Sequence, residues 1–406
     1  MFRFILTVVS IMLALDALWW YLADRHARRL PSAWAWRIGW ALFMGIQAAG
    51  MLLLMFARQL GLDRMAGLPM WVLIFLFVWH LLVLPGTVIA ALLVRTGWTF
   101  ASLVSFLGRK LRATSIPVKS PPSEPGSLSR RQLLATAAVA VPPLVTVFGS
   151  AWAVPQVSSF RVRRFVIPLA TLPPDLDGLT IAQVSDIHAG DFTHGRTLRD
   201  IVETTNALKP DLVLMTGDLI NRRLSDLPAA LDMVRRFDPK HGVYNIQGNH
   251  DLFEGRELFN SGVRAGGVPL LVDQSETIHV NGHPLQLLGL QWGARRGPDS
   301  EIDATVARLL AQRRPDAFPI LLAHHPHAFD EAATEGIPLT LAGHTHGGQL
   351  HLTRDIGFGP WMFKYWSGLY RKENGSALVV SNGVGNWFPL RINAPAEIVH
   401  ITLRRA

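Results

Sequence analysis

Over its first 154 residues the chain is written in long apolar runs broken by short basic stretches. From about Phe160 the runs shorten and alternate with amphipathic segments. Residues 2–22, 38–57 and 68–94 each hold about 20 or more mostly apolar residues, enough to cross a hydrocarbon core of roughly 30 Å as helices. Residues 133–154 form a fourth such run, in which Pro142 and Pro143 predict a kink. Farther on, 179–185, 212–216, 243–247, 285–290, 320–323 and 339–342 read as buried strands, with helices expected over 198–208, 227–237, 302–313 and 328–335. Strands alternating with helices imply α/β layering, each sheet covered by helices.

Charge changes this picture by giving the membrane half an orientation. Arg25, Arg28, Arg29 and Arg37 follow the first run, and Arg95, Arg109, Lys110, Arg112, Lys119, Arg130 and Arg131 follow the third; the loop after the second offers only Arg58 and Arg64. Basic loops stay cytoplasmic, so the expectation is a multi-pass protein of the inner (plasma) membrane with its globular part on the periplasmic or extracytoplasmic side. The division expected is a three-helix transmembrane region over 1–108 and a Pro/Ser-rich cytoplasmic linker over 109–131. A fourth transmembrane helix or twin-arginine-like signal over 132–154 then leads into a globular domain over 155–406. The stretch "SRRQLLATAAVAVPPLVTVFGSAWA" resembles a twin-arginine export signal; a plain arginine pair obeying the charge rule reads equally well, and both place the domain outside.

The net charge of +9 suggests nucleic acid until it is located. Residues 1–154 carry 14 Lys+Arg against 4 acidic residues and the remainder is near neutral, with 25 against 26, so no nucleic-acid partner is expected. The chain has no cysteine, which leaves His, Asp, Asn and Glu as metal ligands. Asp16, Gln47 and His80 fall inside apolar spans, where helix-to-helix packing is expected, with Asp16 and His80 paired.

The chemistry gathers where the predicted strands end. These lead into Asp186-Ile187-His188, Gly217-Asp218, Gly248-Asn249-His250-Asp251, His324 and Gly343-His344-Thr345-His346. Open α/β sheets place their sites at the C-terminal ends of strands. Four histidines, two aspartates and one asparagine are too many for one structural ion and suit two ions about 3.5 to 4 Å apart, with Asp218 the natural bridge.

With "VSDIHAG", "GNHD", "AGHTHGGQL" and "PLRINAPAEIVHITL", the chain resembles the calcineurin-like metallophosphoesterase superfamily over nearly all of 160–406, and within it the membrane-anchored bacterial members and a similar vertebrate transmembrane form. The resemblance implies a four-layer αββα sandwich holding two divalent ions, Mn, Fe or Zn. Asp186, His188, Asp218 and His346 would hold one ion, and Asp218, Asn249, His324 and His344 the other. In "AHHPHAF" the pattern aligns with His324, with His325 and His327 close by. His250 is expected on the leaving-group side, donating a proton or stabilising charge, with Asp251 orienting its ring.

The function expected is hydrolysis of phosphodiester, phosphomonoester or pyrophosphate bonds outside the cytoplasm, with a lipid or glycolipid phosphate as one substrate reading. The alternatives are a soluble-nucleotide phosphodiesterase and a non-catalytic binding or sensory membrane protein on the same fold. Arg391 has two readings, a phosphate clamp or an ordinary surface arginine. The aromatic stretch 357–370 reads first as core packing, then as an apolar wall for a lipid phosphate or a segment dipping into the bilayer interface.

Overall fold

The computed structural model describes residues 2–57, 67–111, 130–293, 301–353 and 356–406. The chain divides into two compact units, Met1–Trp152 and Ala153–Ala406. Residues 58–66 and 112–129, which include Arg58, Arg64, Ser129 and most of the expected linker, lie outside the described residues.

The first unit contains α1 (Phe2–Ala27), α2 (Ala33–Phe56), α3 (Met70–Phe77), a π turn over Val78–Val83 and α4 (Leu84–Leu111); α5 (Arg130–Ser158) runs from it into the second. Four stretches are long and apolar enough to cross a membrane: Leu6–Ala27, Ala33–Phe56, Met70–Ser102 and Gln132–Ser158. Of the polar residues inside them, Asp16 and His80 are paired as apolar surroundings require, while the buried Gln47 side chain has no hydrogen-bond partner among the described residues. Asp16 Oδ2 lies 3.0 Å from His80 Nε2, and Trp79 Nε1 donates to Asp16 Oδ1 at 2.7 Å, both partners coming from the π turn. Through Pro142 and Pro143, α5 continues as one helix.

In the second unit, period-two alternation builds two large sheets, beside a two-stranded one. One has the order β1 (Phe160–Leu169), β13 (Ala396–Arg405), β2 (Thr180–Val184), β3 (Leu212–Met215), β4 (Val243–Asn245). The other runs β11 (Gly368–Arg371), β12 (Ala377–Val380), β8 (Leu339–Ala342), β7 (Phe318–Leu322), β6 (His283–Gly289), β5 (Gln274–Val280). Ile181, Leu212 and Leu214 of the first sheet meet Leu285, Leu287, Ile320, Leu322 and Leu341 of the second in one core. The residues between them point the other way: Ala182, Val184, Val213 and Met215 pack under α6 (Arg196–Ala207), α7 (Leu227–Val234) and α8 (Arg256–Ala265). Leu288 and Leu321 pack under α9 (Glu301–Leu310) and α10 (Ala328–Thr334). The result is helix, sheet, sheet, helix, the sandwich expected from the sequence.

Core positions β2, β3 and β4 are mutually parallel, as are β12, β8, β7 and β6. Their C-terminal ends therefore emerge along a common rim.

Asp330 on α10 ties the aromatic segment to this frame. Its Oδ1 accepts from Lys364 Nζ at 2.9 Å, Tyr365 Oη at 2.8 Å and Lys372 Nζ at 2.8 Å. Partial burial opposes ionisation, but the hydrogen bonds from Lys372, Lys364 and Tyr365 outweigh it and hold the carboxyl down at about 2, against 3.8 ordinarily. A depressed carboxyl contributes stability that is complete above its unfolded value and is lost as pH falls through its folded value. Asp330→Asn is expected to cost about 1 kcal/mol at pH 7, after discounting for solvent screening. Thermal unfolding in detergent should show that difference closing as the pH falls from 3.8 toward about 2.

Candidate metal centre

Each predicted ligand sits two to four residues beyond a strand end, and five of the seven stand on backbone that few side chains adopt. Asp186, His188, Asp218, His344 and His346 all have positive φ, between 48° and 73°. Non-glycine residues held there cost on the order of 1 kcal/mol or more each and persist where the surroundings fix them. Two glycines show how tightly. A Cβ on Gly248 would fall inside contact with Asp218 Oδ1, and one on Gly343 would strike Ser185 Oγ and Asp186 Oδ2.

The side chains converge in two groups that share Asp218. In the first, His188 Nε2 and His346 Nε2 are 2.9 Å apart, His346 Nε2 is 3.3 Å from Asp186 Oδ1, and His188 Nε2 is 3.5 Å from Asp218 Oδ2. In the second, His324 Nε2 lies 3.2 Å from both Asp218 Oδ2 and Asn249 Oδ1, and His344 Nδ1 lies 2.9 Å from Asn249 Oδ1. Ligands each about 2.0 to 2.2 Å from one ion stand about 3 to 3.5 Å from one another, so both groups have the spacing of a coordination shell. Their chemistry also fits: nitrogen and oxygen donors, no thiolate, and an asparagine carbonyl facing two imidazoles.

Charge states agree with this reading. Burial works against ionisation of Asp186 and Asp218, but the imidazoles around them prevail and hold both carboxyls well below the usual range. Burial likewise lowers His188 and His346, and burial with the nearby His324 charge pushes His344 down to about 3. His324 is the exception: burial lowers it, yet Asp218 overrides that by charge and hydrogen bond and lifts it to about 9. Ionised carboxylates beside mostly neutral imidazoles are the metal-binding forms.

Neighbouring groups fix the rings. His324 Nδ1 donates to the Thr216 carbonyl at 2.6 Å, turning Nε2 toward Asp218. The His344 backbone N–H donates to both oxygens of Asp186, at 3.0 and 3.1 Å. Arg391 Nη2 donates to His346 Nδ1 at 3.1 Å. Such partners orient ligands about as decisively as the ligands themselves.

His250 is half-buried at the edge of the cluster. Its backbone N–H donates to Asp218 Oδ1 at 2.8 Å, and its ring lies 4.5 Å from that of His188, with Phe253 at 4.7 Å and Trp387 at 5.9 Å. The expected contact from Asp251 to this ring is replaced by another: His250 Nδ1 donates to the Asn221 carbonyl at 2.7 Å. Asp251 is fully buried and accepts instead from Ile220 N at 3.0 Å and Gly248 N at 2.8 Å, bracing two site loops. Burial, reinforced by Asp218, raises it to about 8. A short polar side chain near several loops was visible in the sequence; which loop it would bond was not.

Of the neighbouring histidines, His324 joins the cluster, while His325 and His327 face each other through Nδ1 atoms 2.8 Å apart. Arg391 is no phosphate clamp. It is fully buried and donates to the carbonyls of Ala394, Gly385 and Asn382 and to Asn386 Oδ1. The aromatic stretch divides: Tyr365 and Tyr370 pack into a buried cluster as expected, while Phe358, Trp361 and Met362 are exposed.

Comparison with known proteins agrees with this geometry. The sequence profile of the calcineurin-like phosphoesterase family matches residues 179–348. A transmembrane protein with metallophosphoesterase domain from Danio rerio is 32% identical over 250 residues, covering 59% of this chain and 56% of that protein. An uncharacterized metallophosphoesterase of Bacillus subtilis is 32% identical over 246 residues, covering 59% of this chain and 83% of the relative. The chain thus spans little more than half the length of the zebrafish protein.

Metal analysis of the detergent-purified chain is expected to give about two divalent ions per chain, falling by at least half in Asp218→Ala and in Gly343→Ala. Full occupancy in Asp218→Ala would remove that residue as the shared ligand.

Proposed function

The chain belongs to the calcineurin-like phosphoesterase family, and from that premise we propose that it is a membrane-anchored, metal-dependent phosphoesterase whose Ala153–Ala406 unit works outside the cytoplasm. One observation carries the reading: two groups of donor atoms at coordination spacing share Asp218. Asp186, His188, Asp218 and His346 would hold one ion, and Asp218, Asn249, His324 and His344 the other. When bound, such a pair supplies a lowered water pKa and neutralisation of phosphoryl oxygens.

The chain's own residues supply the rest. Asn221 holds the His250 ring with Nδ1–H engaged, so Nε2 is the atom that gives or takes a proton. Anchored to Asp218 through its backbone, His250 is placed to protonate a leaving oxygen. Asp251 keeps the loops bearing Asn249 and Ile220 in register. Basic residues after the first and third apolar runs support a cytoplasmic position for those loops and an outward one for the catalytic unit.

With Mn²⁺ and a chromogenic phosphodiester, Asp218→Ala is expected to lose at least about 10³ in turnover and His250→Ala about 10² to 10⁴, the latter with metal content unchanged. Equal inactivity of the wild type and both variants toward every phosphoester tried would favour the binding-protein alternative. Because the chain lacks cysteine, Asp200→Cys, on an exposed helical turn, reports orientation directly. A membrane-impermeant maleimide should label it from outside intact cells; labelling only after lysis would reverse the proposed topology.

A further inference from the structure

The segment that follows the last ligand histidine, His346, presents an apolar face to solvent. It consists of β9 (His351–Thr353), β10 (Ile356–Gly357) and α11 (Phe358–Met362). Leu352 and Trp361 are each 79% exposed, and Ile356, Phe358 and Met362 are exposed with them. A surface of this kind marks a docking site rather than ordinary packing.

Two sets of contacts fix where it lies. On one side, Gly348 leaves room for the Gly359 backbone, and Phe363 brings its ring to 6.2 Å from His344. A cavity of about 450 Å³ opens there, walled by Leu290, Trp292, His325, His344, Met362 and Phe363. Met362 thus belongs both to the exposed face and to the cavity. On the other side stands the end of α5, the last apolar span. Asn386 Nδ2 donates to the Val157 carbonyl at 2.7 Å, and Asn393 N donates to Gln156 Oε1 at 2.8 Å. Asn393 Nδ2 in turn donates to the carbonyls of His351 at 3.0 Å and Leu352 at 3.3 Å. Only Ser159 separates α5 from β1.

Resting on the phosphoesterase reading above, we propose that this face seats in the headgroup and acyl boundary of the bilayer, and that the cavity behind it receives the apolar chain of a lipid phosphoester whose phosphate lies on the metal centre. An α5 that crosses the membrane ends at its surface, and the face bonded to that end meets the same surface. Trp, Phe, Leu and Ile are the side chains that interfacial segments bury at this depth. The cavity's walls beyond the histidines are largely apolar, which suits a hydrocarbon chain.

The test uses the full chain in lipid nanodiscs with two esters, p-nitrophenyl methyl phosphate and p-nitrophenyl dodecyl phosphate. The dodecyl ester is expected to have a kcat/KM about 10- to 100-fold higher. Met362→Asp should erase most of that preference, while Leu352→Asp with Trp361→Asp should lower dodecyl turnover and leave methyl turnover unchanged. Trp361→Cys carrying an environment-sensitive fluorophore should be quenched by nitroxide-labelled lipid. Methyl hydrolysis with no chain-length preference overturns the cavity assignment and spares the phosphoesterase reading. If neither ester is hydrolysed, that reading fails and the cavity assignment with it, while seating is decided by quenching alone. An unquenched label overturns the seating, and if Leu352→Asp then dissolves an oligomer, a second copy of the chain covers the face.

Discussion

Burying ionised carboxylates against one another is the constraint from which the second unit's architecture follows. Asp186 and Asp218 have no solvent, and their oxygens face imidazole nitrogens at 3.2 to 3.5 Å. A carboxylate moved into such a place loses several kcal/mol of hydration unless positive charge and hydrogen bonds replace it. Backbone donors from His250 and His344 supply part of the replacement. The remainder asks for cations among the nitrogen and oxygen lone pairs, which is why a catalytic reading explains this cluster and a packing reading does not. No single strand could deliver so many donors to one place. Parallel strands from two sheets, ending along one rim, can.

Holding that rim still is the work of buried polar groups with no direct part in the cluster. Asp251 joins the loops after β3 and β4, and Arg391 joins the loop after β8 to the crossing into β13. Burial lowers Arg391 to about 10 but leaves it charged near neutrality, with carbonyls on several sides. At the base of the same crossing, buried Glu397 accepts from Arg161 at 3.0 Å and from the Asn382 backbone at 3.2 Å, so β13 locks β1 and the site loops together. Left-handed backbone at five ligand positions is sustained by these surroundings rather than by local preference.

Much of this was legible in the sequence because strands and ligands occur as units: a short apolar run, then a chemically distinctive ending. All six strands expected from apolar runs are present, and His324 rather than His325 or His327 enters the cluster. Strands outside this pattern were missed: β12 (ALVV) and β13 are apolar and buried but end in no predicted ligand. β1, with Arg161, Arg163 and Arg164, and β5, with Gln274, Glu276 and His279, are edge strands whose polarity hides them. Partner choice was the other blind spot. Composition could not say whether Asp251 would bond the His250 ring or backbone amides, whether Arg391 would face substrate or carbonyls, or whether Trp361 would be buried.

The same geometry separates two kinds of recognition. On the phosphoesterase reading, charge at the cluster would act on the phosphoryl group and be indifferent to what the phosphate is attached to. On the Trp292 side the cavity offers mostly hydrocarbon and aromatic surface, which rewards contact area at roughly 25 cal/mol per Å² and reads little else. With an apolar chain seated there as proposed, such a lining would discriminate gradually by chain length and weakly among polar head groups. Sharper selection has to come from what reaches the site at all. In the seating proposed above, that selection falls to the bilayer surface, where an apolar-tailed phosphoester is concentrated and a water-soluble one is not.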